Sequence, residues 1–260
     1  MKKHLVMLHG FGCDSRVFAS IGAKLSREID VLMVDMPGHG QTPPEAGQAK
    51  ENSTFFGFAA YSILHALDQY LGETYSLLGW SMGGQIALEM YKQKSAHKCD
   101  DPGCSHNPIG SLILISSTPR FVSSGDFPVG MNKAVFNKFK KGINEHAESS
   151  MDDFYNLLFS KNEDGGKYIG DLKKQTPPQK TLSSCMESFE KFDARSILPK
   201  IEVPALIITG DSDQIIDPKT SMFLSQKIKN SALKVFKGAG HAPHLTREKE
   251  ISDEIREFIR

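Results

Sequence analysis

The 260-residue chain has no excess of charge of either sign, since 31 Lys and Arg residues are matched by 31 Asp and Glu residues. A formal net charge of zero argues against binding to nucleic acid or to an anionic membrane through overall attraction, although it leaves room for a local basic patch. No apolar run approaches the ~20 residues that a membrane span needs. The apolar run at 5–8 is too short for a signal peptide and leads into His9-Gly10 without a cleavage-type site. We therefore expect a cytoplasmic protein.

Cysteine is scarce as well, and the four cysteines, at 13, 99, 104 and 185, form no disulfide framework. This fits a reducing compartment. One short segment combines cysteines and histidines that could together bind zinc; its members are His97, Cys99, Cys104 and His106. Because the usual C-x₂-C spacing is absent, a solvated loop is the alternative interpretation.

Short apolar runs that end in Gly or Asp alternate with helical patterns along the chain. Most of the runs are apolar on both faces, which is typical of strands covered by helices on both sides; they lie at 4–9, 31–35, 75–78, 112–116, 205–209 and 233–236. Helix-spaced apolar residues follow at 55–71 and 82–94 and in the C-terminal tail. The alternation predicts an α/β fold with a mostly parallel sheet and helices on both faces.

The segment 119–199 interrupts this alternation, because it contains amphipathic pieces and no convincing strand. We interpret it as a helical lid inserted into a core made of residues 1–118 and 200–260. The lid is expected over the carboxyl edge of the sheet, where open α/β sheets bind ligands.

Ser81 stands in the motif G-W-S-M-G at 79–83, between an apolar strand and a helical pattern. G-x-S-x-G in this context is the sequence form of a nucleophile elbow, which exposes a Ser hydroxyl above the sheet. A Ser hydroxyl is a weak nucleophile until a base takes its proton. The alternative is a helix-capping Ser after a glycine turn.

The base is expected after a late strand, where Gly238-Ala239-Gly240 is followed by His241; His244 is its competitor. The acid that orients the base should lie after the preceding strand. Three carboxylates compete for that role, at Asp211, Asp213 and Asp217. The order Ser, Asp, His is the one found in α/β-hydrolases.

Two backbone amides are expected to hold an oxyanion, one from Met82 after the nucleophile and one from Phe11 in the glycine-rich loop after the first strand. His9 and His39 are expected to be structural hydrogen-bonding residues. Acyl transfer on such a site requires no metal or organic cofactor.

The motifs L-H-G-F-G at 8–12, D-M-P-G-H-G at 35–40, G-W-S-M-G-G at 79–84, G-D-S-D-Q-I-I at 210–216 and G-H-A-P-H at 240–244 together resemble the α/β-hydrolase superfamily. The superfamily motif G-x-x-D favours Asp213 as the acid. The superfamily usually has one or two strands ahead of its L-H-G strand, whereas three residues precede it here. We therefore expect those strands to be missing and the strand at 31–35 to form an edge of the sheet, which would be an association liability.

Within the superfamily the chain most resembles the pimeloyl-[acyl-carrier protein] methyl ester esterases of biotin synthesis, on the basis of G-W-S at 79–81, S-S-T-P-R-F at 116–121 and G-H-A-P at 240–243. The resemblance implies hydrolysis of a methyl ester of a pimeloyl chain held on acyl carrier protein. It also implies substrate-binding positions at Phe11, Trp80, Phe154, Tyr155, Asn156, Leu157 and Leu158.

A carrier protein is acidic, so its docking site should be basic. Candidate docking cations occur in and near the predicted lid, at Arg120, Lys133, Lys138, Lys140 and Lys141; a solvated helix surface is the alternative. Three other functions stay open: a general short-chain esterase or thioesterase, a menaquinone-type lyase or C–C hydrolase with the same three residues, and a non-catalytic ligand receptor.

Overall fold

The computed structural model describes residues 3–44, 54–71, 74–96 and 109–260. Six strands in these ranges pair in parallel to form one sheet with the order β2-β1-β3-β4-β5-β6. The strands are β1 (His4–Leu8), β2 (Asp30–Val34), β3 (Tyr75–Trp80), β4 (Ile109–Ile115), β5 (Ala205–Gly210) and β6 (Ser231–Phe236). From β1 the chain continues to β2 on one side, and from β3 it continues to β4, β5 and β6 on the other side, so the switch point of the sheet lies between β1 and β3. The crevice at the carboxyl ends of such a pair is where α/β sheets bind ligands.

Helices surround this sheet, as the α/β pattern predicts. Those that the structure describes are α1 (Ala19–Leu25), α2 (Phe55–Tyr70), α3 (Met82–Ala96), α4 (Lys133–Glu145), α5 (Ala147–Leu157), α6 (Gly166–Lys173), α7 (Gln179–Lys191), α8 (Lys219–Lys227), α9 (Pro243–Thr246) and α10 (Glu248–Ile259). α3 packs on β1, β3 and β4 and also on α2, whereas α1 packs on α10. None of the helices in the described ranges is long and apolar enough to cross a membrane.

Burial along the strands follows their position in the sheet. Every residue of β3 and β5 is buried, which explains why these strands have no polar face in the sequence. β2 lies at the edge of the sheet, as predicted, and Leu32 and Met33 are 43% and 38% exposed. An edge strand with exposed apolar residues is a site where another chain can pair.

The segment 119–199 contains α4 to α7 and lies between β4 and β5 in the chain. Its pairing is limited, within the described residues, to two isolated bridges, Val122 with Met131 and Ser124 with Phe127. Apolar side chains of these helices pack onto the central core, among them Phe136, Met151 and Phe189. The division into a core and a separate lid remains a prediction.

One close contact fixes how α3 lies on the sheet. A Cβ atom on Gly83 would lie 2.1 Å from the carbonyl oxygen of Leu8 in β1, which is backbone that cannot turn aside. A Cβ on Gly79 would likewise lie 2.3 Å from the carbonyl oxygen of Gly83. The first turn of α3 can therefore approach β1 and β3 only because these two positions lack side chains.

We expect Gly83→Ala to lower the free energy of unfolding by at least about 2 kcal/mol, because the added methyl group forces α3 away from β1. Urea unfolding followed by circular dichroism measures the change. Gly170→Ala is the matched control, since a Cβ on this α6 residue meets no atom within 4 Å. The control should be neutral or slightly stabilising, because Ala is the better helix former; equal effects at the two positions would contradict the argument.

Candidate active site

Ser81 is the single residue between the end of β3 and the start of α3. Its backbone has φ 53°, a left-handed conformation that costs a non-glycine residue energy and is typical of a nucleophile elbow. The Ser81 amide donates to the carbonyl of Ile115 in β4 over 2.9 Å. These contacts hold the hydroxyl group at the carboxyl edge of the sheet, and the residue is only 4% exposed.

His241, in the loop between β6 and α9, reaches Ser81 from the other half of the sheet. Its Nε2 atom lies 2.8 Å from the Ser81 hydroxyl oxygen, and its Nδ1 atom lies 2.7 Å from Oδ2 of Asp213. A carboxylate can only accept, so Nδ1 carries the proton and Nε2 is free to accept from the Ser81 hydroxyl. The His241 and Asp213 side chains are both fully buried.

Asp213 is held in place by the backbone of its own loop. Its Oδ1 atom accepts the amides of Ile215 and Ile216 over 2.8 and 2.9 Å, which leaves Oδ2 for His241. The competing carboxylates serve elsewhere: Asp211 accepts the Gly238 amide, and Asp217 accepts the Lys219 amide at the start of α8. Among the three carboxylates it is therefore Asp213, the residue that the superfamily motif favours, that binds His241; its role as the orienting acid remains a prediction.

His244, the competing histidine, lies in an aromatic environment instead of at Ser81. Its ring centroid is 4.6 Å from that of Trp80 and 5.3 Å from that of Phe18. Trp80 is also buried, and its indole N–H donates to the carbonyl oxygen of His241 over 2.8 Å. The predicted substrate-binding residue Trp80 thus supports the backbone of the predicted base; contact with a substrate remains a prediction.

The two predicted oxyanion donors lie at the switch point of the sheet. Leu8 pairs with Gly79, so the loop that contains Phe11 and the turn that contains Ser81 extend from neighbouring strand ends. Met82 is the first residue of α3, and the amides of a first helical turn have no acceptor within the helix. Gly12 has φ 71°, and its carbonyl oxygen accepts the hydroxyl of Tyr155 over 2.5 Å.

Helices α4, α5 and α7 each contribute a phenylalanine whose ring contacts the ring of Phe11. Ring centroids of Phe139, Phe154 and Phe189 lie 6.0, 5.4 and 5.6 Å from that of Phe11, in edge-on arrangements. Phe121 lies 4.6 Å from Phe189. We call these five phenylalanines the aromatic wall.

The residues of the predicted binding segment at 154–158 lie on two different faces of α5 and just after its C-terminal end. Phe154 belongs to the aromatic wall, and the Leu158 carbonyl accepts the amides of His241 and Ala242. The Tyr155 hydroxyl is occupied by Gly12 and Thr176. Asn156 and Leu157 are exposed, and the Asn156 amide group donates to the carbonyl of Asp152 within α5. The structure therefore brings only part of the predicted segment to the site.

The predicted docking cations differ in how far their charge is already paired. Arg120 binds Asp193 and Lys140 binds Glu190, over 2.7 and 2.6 Å. Lys141 is exposed and lies 3.9 Å from Glu145. Lys133 and Lys138 are exposed and form no salt bridge to the residues that the structure describes. Three cations of α4, at 133, 138 and 141, thus present most of their charge to solvent.

The candidate zinc ligands, His97, Cys99, Cys104 and His106, lie outside the described residues. Among the residues that are described, no group of three or more His, Cys, Asp or Glu side chains is placed to hold a metal ion.

A sequence profile of the alpha/beta hydrolase fold matches residues 3–248. The chain belongs to the α/β-hydrolase family. Among curated proteins, it is similar to the pimeloyl-[acyl-carrier protein] methyl ester esterases of Nitrosomonas europaea (28% identity, covering 93% of this chain and 90% of the relative) and Legionella pneumophila strain Lens (28%, covering 98% and 95%). The predicted resemblance is therefore confirmed.

Solved structures agree on the fold. An esterase from Exiguobacterium antarcticum superimposes with a TM-score of 0.83 at 23% identity, covering 99% of this chain and 91% of the esterase. MenH from S. aureus superimposes with a TM-score of 0.79 at 25% identity, covering 99% of this chain and 93% of MenH.

Burial lowers the pKa of three histidines around the site: His9 to about 4, His39 to about 3 and His244 to about 3. Each stays neutral in the folded protein at a pH where the unfolded chain binds a proton. The unfolded state therefore takes up more protons below pH ~6.5, and we expect the free energy of unfolding to fall by about 1.4 kcal/mol per pH unit for each histidine down to its folded pKa. Urea unfolding between pH 8 and pH 4 measures this slope.

His244→Leu serves as the control, because the substitution removes one titrating group while the acidic residues of the protein are unchanged. Its slope below pH 6 should be smaller by about one proton's contribution. Identical slopes in the two proteins would show that His244 is not held neutral by the fold.

Proposed function

We propose that the chain is a serine carboxylesterase with Ser81 as nucleophile, His241 as general base and Asp213 as the orienting acid. The observation that supports this most strongly is the continuous hydrogen-bonded series from Asp213 through His241 to Ser81, with contacts of 2.7 and 2.8 Å. The three residues follow three different strands, β3, β5 and β6. A Ser that only capped a helix would need neither the His nor the Asp beside it.

In the first step His241 accepts the Ser81 proton through Nε2 while the Ser81 oxygen attacks the ester carbonyl carbon. Asp213 stabilises the imidazolium that forms, and its bonds to the Ile215 and Ile216 amides keep it oriented for this. The carbonyl oxygen becomes negative and accepts the amides of Phe11 and Met82. Each such donor contributes about 3 kcal/mol to the stability of the transition state.

In the second step the bond between the carbonyl carbon and the alcohol oxygen breaks, and His241 gives its proton to the departing alcohol. The acyl group remains bonded to the Ser81 oxygen. Water then loses a proton to His241 and attacks the acyl carbonyl carbon. As the bond between the acyl group and the Ser81 oxygen breaks, His241 returns the proton to that oxygen and the carboxylic acid leaves. Both steps use only side chains and amides of this chain, and no cofactor takes part.

For the substrate we propose the methyl ester of a pimeloyl chain on acyl carrier protein. The support is the name shared by relatives that match nearly the whole chain at 27–28% identity. The aromatic wall includes Phe11, whose loop follows the strand next to the one that ends before Ser81, and apolar side chains suit the methylene groups of an acyl chain. The exposed cations of α4 suit an acidic carrier. A cytoplasmic location, which this role requires, is part of the proposal.

A fluorophosphonate probe tests the nucleophile without assuming a substrate. We expect the probe to label the chain at Ser81, and Ser81→Ala to abolish labelling and lower kcat on esters by at least ~10⁴-fold. Ser149→Ala, at an exposed Ser of α5, is the control and should behave as the unmodified chain. Labelling that persists in Ser81→Ala would refute the assignment.

Hydrolysis of the carrier-bound pimeloyl methyl ester, compared with short nitrophenyl esters, tests the substrate. A preference for the carrier-bound ester is expected, and equal use of both would leave a general esterase or thioesterase. Labelling at Ser81 without hydrolysis of any ester would favour lyase or C–C hydrolase chemistry. Ligand binding without labelling would favour a receptor.

Docking is tested by reversing the charge of Lys133, Lys138 and Lys141 to Glu together. We expect KM for the carrier-bound ester to rise about 10-fold, since opposite charges no longer assist association, while KM for a short ester is unchanged. The control carries the same three reversals at Lys219, Lys227 and Lys229, exposed residues in or just after α8. If the control raises KM equally, only the net charge matters and α4 is not a docking surface.

A further inference from the structure

The loop that carries His241 is attached to a distant part of the chain, the connection between α5 and α6. We call residues 158–165 the α5–α6 connection. The carbonyl oxygen of Leu158 accepts the amides of His241 and Ala242 over 2.8 and 3.2 Å. The Ser160 hydroxyl donates to the carbonyl of Gly238 over 2.6 Å. The backbone on both sides of the His241 side chain is therefore held from the α5–α6 connection.

Glu163 also joins the two segments through its side chain. Its Oε2 atom accepts the Gly240 amide over 2.7 Å and the Ser160 amide over 2.8 Å. Its Oε1 atom accepts the hydroxyl of Thr246, in α9. One carboxylate thus binds the residue directly before His241, the helix that follows it and the α5–α6 connection itself.

The contact is too close to tolerate a side chain at Gly240. A Cβ there would lie 2.7 Å from the Leu158 carbonyl oxygen and from the Ser160 amide nitrogen, and 2.9 Å from Oε2 of Glu163. The two backbones are therefore packed directly against each other.

The His241 loop contains two glycines, Gly238 with φ 71° and Gly240, and these positions have no side chains that could pack and fix the loop. On its other side the loop is tied to the loop of Asp213, since Asp211 accepts the Gly238 amide and the Ser212 amide donates to Ala239. Glu163 supplies the opposing attachment.

We propose that Glu163 is a positioning residue for His241, which holds the imidazole within reach of Ser81 and Asp213 through the Gly240 amide and the Thr246 hydroxyl. This proposal rests on the proposed role of His241 as the base. The geometry of the acceptor atoms, and not the negative charge as such, performs the task.

Three variants of Glu163 distinguish the effect of the position of its acceptor atoms from the effect of its negative charge. Glu163→Gln keeps an oxygen for the two amides and a group facing Thr246 but removes the charge. Glu163→Asp keeps the charge but is one methylene too short. Glu163→Ala removes both. Asp164→Ala is the matched control, because Asp164 is adjacent, its side chain is 81% exposed, and its only charged contact in the described residues is Lys167 at 3.9 Å.

The measurements are kcat and KM on an ester that the unmodified chain hydrolyses, and the rate of fluorophosphonate labelling at Ser81. All are taken well below the thermal unfolding temperature of each variant. We expect Glu163→Ala and Glu163→Asp to lose about 10- to 100-fold in kcat and in labelling rate with KM nearly unchanged, because a misplaced base costs rate and not binding. Glu163→Gln and Asp164→Ala should stay within about threefold of the unmodified chain.

Several results would overturn the proposal. They are a Glu163→Gln variant as slow as Glu163→Asp, a loss that appears in KM alone, or a Glu163→Asp variant as fast as the unmodified chain. If Glu163→Ala does not fold, the comparison of Gln with Asp still decides. The proposed function is judged separately, since its failure would appear as an unmodified chain that neither labels nor hydrolyses an ester.

Discussion

The approach of α3 to β1 and β3, with no side chain between them at Gly83, is the contact on which the site depends. It leaves no room for a relaxed turn after β3, so Ser81 adopts its left-handed conformation. A conformation of this kind costs about 1–3 kcal/mol, which the Ile115 carbonyl helps to offset by accepting the Ser81 amide. Met82, the first residue of α3, directly follows Ser81, and the pairing of Leu8 with Gly79 places this turn next to the switch point between β1 and β3. The position of the hydroxyl and that of the Met82 amide therefore have one physical cause.

Because all six strands run in parallel, their carboxyl ends lie on one edge of the sheet, and residues far apart in sequence meet there. Ser81 and His241 are 160 positions apart and in hydrogen-bond contact. The distance in such a contact depends on the positions of the loops that follow the strands, and here the loops are hydrogen-bonded to each other. The Asp213 loop holds the His241 loop from one side, and the α5–α6 connection holds it from the other. The segment 119–199 is thus part of the framework of the site.

The strands, Ser81 and His241 were predictable because each has a local signature, whereas Asp213 was favoured among three carboxylates only by the superfamily motif. Strands buried on both faces are continuous apolar runs, and Ser81 and His241 follow glycine-marked turns. The sequence carries no such mark for Glu163. The Ser160 amide is a neighbour in the chain, but its other two partners, the Gly240 amide and the Thr246 hydroxyl, are more than 75 positions away. Nor does it show that Asp193 and Glu190 neutralise Arg120 and Lys140, because those pairs depend on how the helices at 119–199 pack. Helical phase alone did not reveal that Asn156 and Leu157 lie on the exposed side of α5.

Burial shapes the chemistry that this site can perform. Asp213 and His241 lie where water does not reach, so the attraction between carboxylate and imidazolium is stronger there than at the surface. The Ile215 and Ile216 amides make it possible to bury the carboxylate, because they take the place of the lost water. Ser81 is itself only 4% exposed, whereas Lys133, Lys138 and Lys141 are exposed on α4. The proposed substrate would leave its acidic carrier at the surface, beside these lysines, while the far end of its acyl chain extends to the buried Ser81.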